Sequence, residues 1–249
     1  MPKSRARFVK DRHLLKSWFK VFAKNHDWSK PDTQLITEFV NCPVVVDYGE
    51  KINPICGQDK FSVVGTRVKW QQEVIDHITI EGNWMEFGVR AGDSLRWLLS
   101  KKPDQEIHGF DSWEGLPESW DVGVKKFEKG SMSVPMPSFP NNKVRLWKGW
   151  FDDTIDPWKE KHAGDIAYLH IDSDLYSSAK CVLTKLNDRI VPGTLIVFDE
   201  LANFRLSGKM EHWNEHEWKA LCEWLVENDR EVKPILRSPM YQAACKVIK

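Results

Sequence analysis

Beyond residue 83 the sequence switches repeatedly between short apolar runs and amphipathic stretches, and this alternation restricts the fold more than any other feature. The runs are Trp84-Met85-Glu86-Phe87, Ile107-His108-Gly109-Phe110, Lys143 to Trp147, Ile166 to Ile171 and Thr194 to Phe198. Helical patterns lie between or after them at 92–101, 151–161, 175–190 and 211–228. Strands that alternate with helices predict right-handed βαβ units and a parallel sheet. Two more strand-like runs follow, Glu231 to Leu236 and Tyr241 to Ile248, joined only by Arg237-Ser238-Pro239-Met240. A link that short holds no crossover helix, so this pair is expected as an antiparallel hairpin.

The first 80 residues do not share the pattern. A basic, aromatic stretch (Phe8 to Trp28) precedes a short helix predicted from Thr33 as N-cap and Leu35, Ile36, Phe39 and Val40 as the apolar stripe. A Pro/Gly-punctuated loop follows, and then a second helix over 66–79. Residues 1–80 are therefore read as an N-terminal helical cap and 81–249 as the main domain. Trp18, Phe19, Phe22, Trp28 and Trp70 would stack on a planar or sugar ring, or pack against the sheet or against a second copy in a homodimer. Residues 112–142, rich in Gly, Pro, Ser and Met, are expected as the longest irregular loop.

Composition removes several classes of function. Lys+Arg and Asp+Glu both number 36, and a protein built to neutralise phosphates would be basic, so no nucleic-acid partner is expected. No apolar run reaches the ~18 residues a membrane span needs, and the basic N-terminus lacks the apolar stretch of a signal peptide. Cys42, Cys56, Cys181, Cys222 and Cys245 are odd in number and show no CxxC spacing. Reduced thiols in a cytoplasmic protein are expected.

Two strand ends carry the chemistry. Glu86-Phe87-Gly88-Val89-Arg90-Ala91-Gly92-Asp93-Ser94 leaves the first strand and opens a helix. Ligands of open α/β sheets bind beyond the carboxyl ends of the strands. Gly88 and Gly92 allow a tight turn and close backbone approach, and Glu86 suits an amine or cation. The Gly-x-x-x-Gly spacing is not that of dinucleotide folds. Asp111 ends the next strand, where a carboxylate can accept both hydroxyls of a ribose. Together these ends point to a nucleoside ligand, although each alone is also compatible with an ordinary turn or helix cap.

Glu-Phe-Gly-Val-x-x-Gly-x-Ser-Leu (86–95) and Gly-Phe-Asp-Ser-Trp-Glu-Gly-Leu-Pro-Glu (109–118) resemble class I S-adenosylmethionine-dependent methyltransferases, and more narrowly the macrocin O-methyltransferase family. The resemblance continues through Gly149-Trp150-Phe151-Asp152-Asp153-Thr154, Leu169 to Ser178 and Pro192 to Glu200, and covers about residues 80–230. It implies an α/β fold with a Rossmann-like, seven-stranded, mostly parallel sheet. It also implies methyl transfer from S-adenosylmethionine to a hydroxyl of a sugar or natural product. By resemblance, Glu86, Gly88 and Gly92 line the methionine end of the cofactor, and Phe87, Ser94 and Asp172 are also expected as cofactor-binding residues. Asp111 takes the ribose, with Ser112 and Trp113 near the adenosine and Gly149 and Trp150 near the adenine.

Asp172 ends the fourth strand, and Asp199 with Glu200 end the fifth. Adjacent strands lie about 4.8 Å apart, so these carboxylates can converge, and three oxygen ligands suit Mg²⁺. The resemblance implies a divalent metal gripping substrate hydroxyls here. Two departures stand against it: the last ligand is Glu200 rather than Asp or Asn, and Leu175 occupies the place of the lysine base of catechol-type enzymes. Asp172 and His216 are the expected catalytic groups, His216 as a general base near neutral pH. His212-Trp213-Asn214-Glu215-His216 has zinc-peptidase spacing, but it lacks a third ligand and a suitable fold. His170 is expected as a hydrogen-bonded structural residue, and Cys181 as a core-facing, inert thiol. The competing readings are a nucleotide-sugar or NAD enzyme on a similar fold, and a cofactor-binding scaffold without turnover.

Overall fold

The computed structural model describes residues 32–42, 70–140, 142–204, 210–238 and 240–249. The cap aromatics Trp18, Phe19, Phe22 and Trp28, and Cys56, lie outside them, as does the side chain of Thr33. Strands β1 (Asn83–Phe87), β2 (Ile107–Asp111), β5 (Val144–Lys148), β6 (Ile166–Ile171) and β7 (Ile190–Phe198) are parallel. Antiparallel β8 (Val232–Arg237) and β9 (Ala243–Val247) complete a seven-stranded sheet of order β5-β2-β1-β6-β7-β9-β8. The expected Rossmann-like sheet and terminal hairpin are therefore present.

Helices cover both faces. On one, α1 (Asp32–Asn41), α3 (Phe151–Lys161), α4 (Tyr176–Lys185) and α5 (Glu217–Glu227) bury Phe39, Trp158, Val182 and Trp224 against Met85, Phe87, Leu169 and Phe198. On the other, α2 (Asp93–Lys101) and the helical segment 70–75 bury Leu95, Leu98, Trp70 and Val74 against Trp84, Tyr168, Leu195 and Val197. Sandwiching a sheet this way buries both faces of its central strands, which explains why all six residues of β6 are buried and apolar runs mark the strands. Acidic Asp152 and Asp153 in the first turn of α3, and Lys159 and Lys161 in its last, match the helix dipole. Arg237 of β8 donates from Nη2 to the Val40 carbonyl at 3.2 Å, docking α1 on the sheet.

Several boundaries differ from expectation. The 175–190 helical pattern ends at Lys185, and β7 begins at Ile190 and runs through Pro192-Gly193, which reads as a breaker. The Thr194 hydroxyl bridges that irregularity, donating to the Ile166 carbonyl at 2.6 Å and accepting the Val191 amide at 3.0 Å. The 211–228 pattern splits at His216 (φ −111°, ψ −123°) into a 3₁₀ turn, Trp213–Glu215, and α5. In the 66–79 pattern, residues 70–75 are helical, and i−3 hydrogen bonds from His77 and Ile78 close the end. The 112–142 segment is not wholly irregular: β3 (Trp120–Asp121) and β4 (Lys126–Phe127) pair in a small hairpin. Leu116, Trp120 and Val122 of this segment bury against Leu175 and Met210.

Candidate active site

A cavity of about 800 Å³ opens at the carboxyl ends of β1, β2, β6 and β7. Side-chain alternation puts Glu86 on the same sheet face as Trp84, and register pairs it with His170 of β6. Glu86 is 1% exposed; its Oε2 accepts the Ser94 hydroxyl at 2.5 Å and lies 3.1 Å from His170 Nδ1. Gln71 donates to Ser94 at 3.2 Å, and His170 Nε2 lies 3.7 Å from Asp199 Oδ1. Burial works against a charged His170, but hydrogen bonds to Asp199 and Glu86 outweigh it and hold the imidazole pKa up at about 10. A hydrogen-bonded role for His170 agrees with expectation; its position between two acids was not anticipated.

The turn after β1 depends on its glycines. A Cβ on Gly88 would fall 1.7 Å from the Asp172 carbonyl oxygen, because β6 passes that close. Gly92 caps α2 at φ +79°. Asp111 is set between two amides: Arg90 N donates to Oδ2 and Trp113 N to Oδ1, both at 2.7 Å. Arg90 (φ 50°) and Trp113 (φ 57°) both occupy the left-handed region, as does Asp174 (φ 62°). Such strained residues cluster where a site is held in a particular shape.

The cavity is lined by Glu86, Gly88, Gly92, Ser94, Asp111, Ser112, Trp150, Asp172, Asp199 and Glu200 among the expected residues. It is not lined by Phe87, Trp113, Gly149 or His216. Phe87 points into the opposite core and stacks on Phe110 at 4.5 Å, as alternation after Glu86 requires. Trp113 is buried, its indole donating to the Arg90 carbonyl at 2.9 Å. Gly149 bonds through its amide to the Asp111 carbonyl. His216 turns to the β3–β4 hairpin, with Nε2 3.0 Å from the Asp121 carbonyl oxygen and its ring against Trp120. Cys181, expected in the core, is half-buried and lines the cavity; burial pushes its thiol up to about 11, so it stays protonated.

Acidic groups crowd the end of the cavity between β6 and β7. Asp172 and Asp199 lie in one group with His170 whose ligand atoms are all within 4.8 Å; Glu200 is not in that group. Burial, then the Asp199 charge, raise Asp174 to about 7 against the pull of Arg90. Burial and the charges of Asp199, Asp174 and Asp172 raise Glu200 well above the usual carboxylate range. Burial also raises Glu217, opposed by the Glu200 amide and reinforced by Asp174 and Asp172. One Glu200 oxygen, Oε2, is buried without a partner.

A second group, Glu106, His108 and His162, also falls within 4.8 Å, at the far end of β2. There the Trp147 indole donates to His108 Nδ1 at 3.4 Å, which leaves Nε2 protonated and facing Glu106 at 3.5 Å. That arrangement is packing, not coordination. Nor do His212, Glu215 and His216 form a ligand group among the described residues.

Residues 56–220 match the family model of macrocin-O-methyltransferases (TylF). No curated protein matches the chain. Among solved structures, CalS11, a calicheamicin methyltransferase, is 19% identical over 99% of this chain and 98% of its own, with a TM-score of 0.61. An apo CalS11 structure, described as a TDP-rhamnose 3'-O-methyltransferase, is 20% identical over 89% and 96%, with a TM-score of 0.54. The O-methyltransferase NovP is 20% identical over 74% and 80%, with a TM-score of 0.53.

Proposed function

The chain belongs to the macrocin O-methyltransferase family and is an S-adenosylmethionine-dependent methyltransferase, and from that premise we propose that its acceptor is a hydroxyl of a sugar-bearing natural product. The observation that carries the reading is one cavity joining the Gly88–Ser94 turn and Asp111 to the acidic cluster at the ends of β6 and β7. Its volume of about 800 Å³ is within the range of small-molecule sites and has room for a nucleoside beside an acceptor.

Bound S-adenosylmethionine supplies an electrophilic sulfonium methyl. Glu86, held by Ser94 and His170, would hold its amine. Asp111 keeps one lone pair on each oxygen beyond its two amide bonds, and these accept the ribose hydroxyls. Asp172, which lines the cavity, would accept the acceptor's hydroxyl proton as that oxygen takes the methyl and S-adenosylhomocysteine leaves. A bound Mg²⁺ would lower the pKa of that hydroxyl. The donor chemistry fits such an ion: the oxygens are hard, burial and the charges of Asp199, Asp174 and Asp172 push Glu200 well above the usual carboxylate range, and Glu200 Oε2 lacks a partner. Asp172 and Asp199 would hold it, joined by Glu200; protonated His170 would not. A cytoplasmic setting is supported by the odd number and scattered placement of the five cysteines, none at CxxC spacing. Among the described residues no helix is long and apolar enough to cross a membrane.

Calorimetric titration with S-adenosylhomocysteine, with Mg²⁺ or with EDTA, tests this. The expected result is binding in both conditions, with an acceptor screen then giving Mg²⁺-stimulated turnover. Asp172→Asn should lower kcat by about 10²–10⁴. No binding in either condition would overturn the proposal, and binding without turnover of any hydroxylated acceptor would favour a scaffold.

A further inference from the structure

We propose that Glu217 is a positioning residue: one buried carboxylate on α5 that holds the ends of β6 and β7 at the separation the acidic cluster needs. This rests on the methyl-transfer reading above.

Glu217 is fully buried and begins α5. Its Oε1 accepts the Ser173 amide at 3.3 Å and its Oε2 the Glu200 amide at 3.1 Å. Ser173 follows Asp172, and Glu200 follows Asp199. The carboxylate therefore grips the backbone one residue past each of the two cavity acids that lie within ligand distance of one another.

The sheet itself stops just short of this point. The Asp199 amide still bonds the Ile171 carbonyl at 3.0 Å, and the Asp172 amide bonds Phe87 at 2.9 Å. The next amides in each segment turn to Glu217 instead. Without that acceptor, two buried N–H groups lose their partner, a situation folded proteins rarely tolerate. The segments would then move to find other acceptors, and the spacing of Asp172 and Asp199 would move with them.

The helix bearing Glu217 is well anchored. Trp218 packs edge-on against Phe39 of α1 at 6.1 Å and against Trp213 at 5.9 Å. Farther along, Tyr176 bonds Glu223 at 2.6 Å and Lys180 reaches Glu227 at 2.6 Å, tying α5 to α4. A rigid helix thus supplies a fixed point between two loops. Active-site groups need such support because small misplacements of reacting groups cost rate steeply.

The test uses the full chain carrying Glu217→Ala or Glu217→Gln, with amide hydrogen exchange, S-adenosylhomocysteine calorimetry and steady-state kinetics. In Glu217→Ala, exchange at Ser173 and Glu200 should speed at least tenfold while Leu169 and Val197 keep their protection. kcat should fall at least tenfold, with the Kd for S-adenosylhomocysteine within twofold of wild type. Glu217→Gln keeps one acceptor oxygen, so it should fall between, and it stands in if the alanine variant fails to fold. Unchanged exchange at the two amides, unchanged kcat, or uniform loss of protection across the sheet would overturn the proposal. If the wild type binds no S-adenosylhomocysteine, the methyl-transfer reading falls, and exchange at Ser173 and Glu200 alone decides whether the latch exists.

Discussion

His170 Nδ1 lies 3.1 Å from Glu86 while Nε2 lies 3.7 Å from Asp199, so one buried imidazolium stands between the turn after β1 and the end of β7. His170→Leu would leave two buried carboxylates without their cation, at a cost of about 3–5 kcal/mol. The folded pKa of about 10 exceeds the ordinary 6.5. The stabilisation is therefore complete below about pH 6.5 and lost as pH rises through 10. Urea unfolding should show the gap between wild type and His170→Leu narrowing from pH 7 to 10.

His108 should titrate in the opposite sense. Burial, then His162 and Arg145, lower it to about 4 from 6.5. Its neutral form stabilises the fold above pH 6.5, and that contribution is lost as pH falls through 4. At roughly 1.4 kcal/mol per pKa unit, on the order of 3 kcal/mol is at stake. His108→Phe keeps an aromatic ring beside Trp158 and removes the titration. Its unfolding free energy should decline less than that of wild type between pH 6.5 and 4.

Asp111→Ala removes the acceptor for the amides of Arg90 and Trp113 as well as the candidate ribose ligand. S-adenosylhomocysteine should bind at least about tenfold more weakly, a loss of roughly 1.4 kcal/mol or more. Calorimetry checks this; an unchanged Kd would place the nucleoside elsewhere.

Gly88→Ala should be among the most damaging single-methyl changes in the chain. The added carbon would meet the Asp172 carbonyl at 1.7 Å, and φ is +96°. A cost of at least about 4 kcal/mol is expected, read as a fall in Tm on the order of 10 °C.

The sheet was legible because buried parallel strands leave continuous apolar runs, and the antiparallel pair was legible because its link is too short for a helix. The start of β7 was hidden by Pro192-Gly193, which a Thr194 bridge carries through the strand. In the site, spacing located the turn after β1 and the strand-end acids. It could not reveal the pairing of Glu86 with His170, which depends on register between distant segments. Nor could it separate Phe87 from Glu86, although alternation alone sends them to opposite faces. Glu217 did leave a trace: with Ala220, Leu221 and Trp224 it forms an i, i+3, i+4, i+7 stripe, and all four are buried. A carboxylate on an apolar stripe marks a buried acid, whereas His216 beside it draws attention only through its chemistry.

Strand β9 follows every other described element in sequence, yet it lies inside the sheet, paired with β7 on one side and β8 on the other. Until it emerges, β7 carries an unpaired edge, and unpaired edges invite association with other chains. The acids at the end of β7 sit on that same exposed rim. A chain that pauses before β9 forms therefore leaves the rim of the cavity open to association, and disrupting β9 would cost the site as well as the sheet.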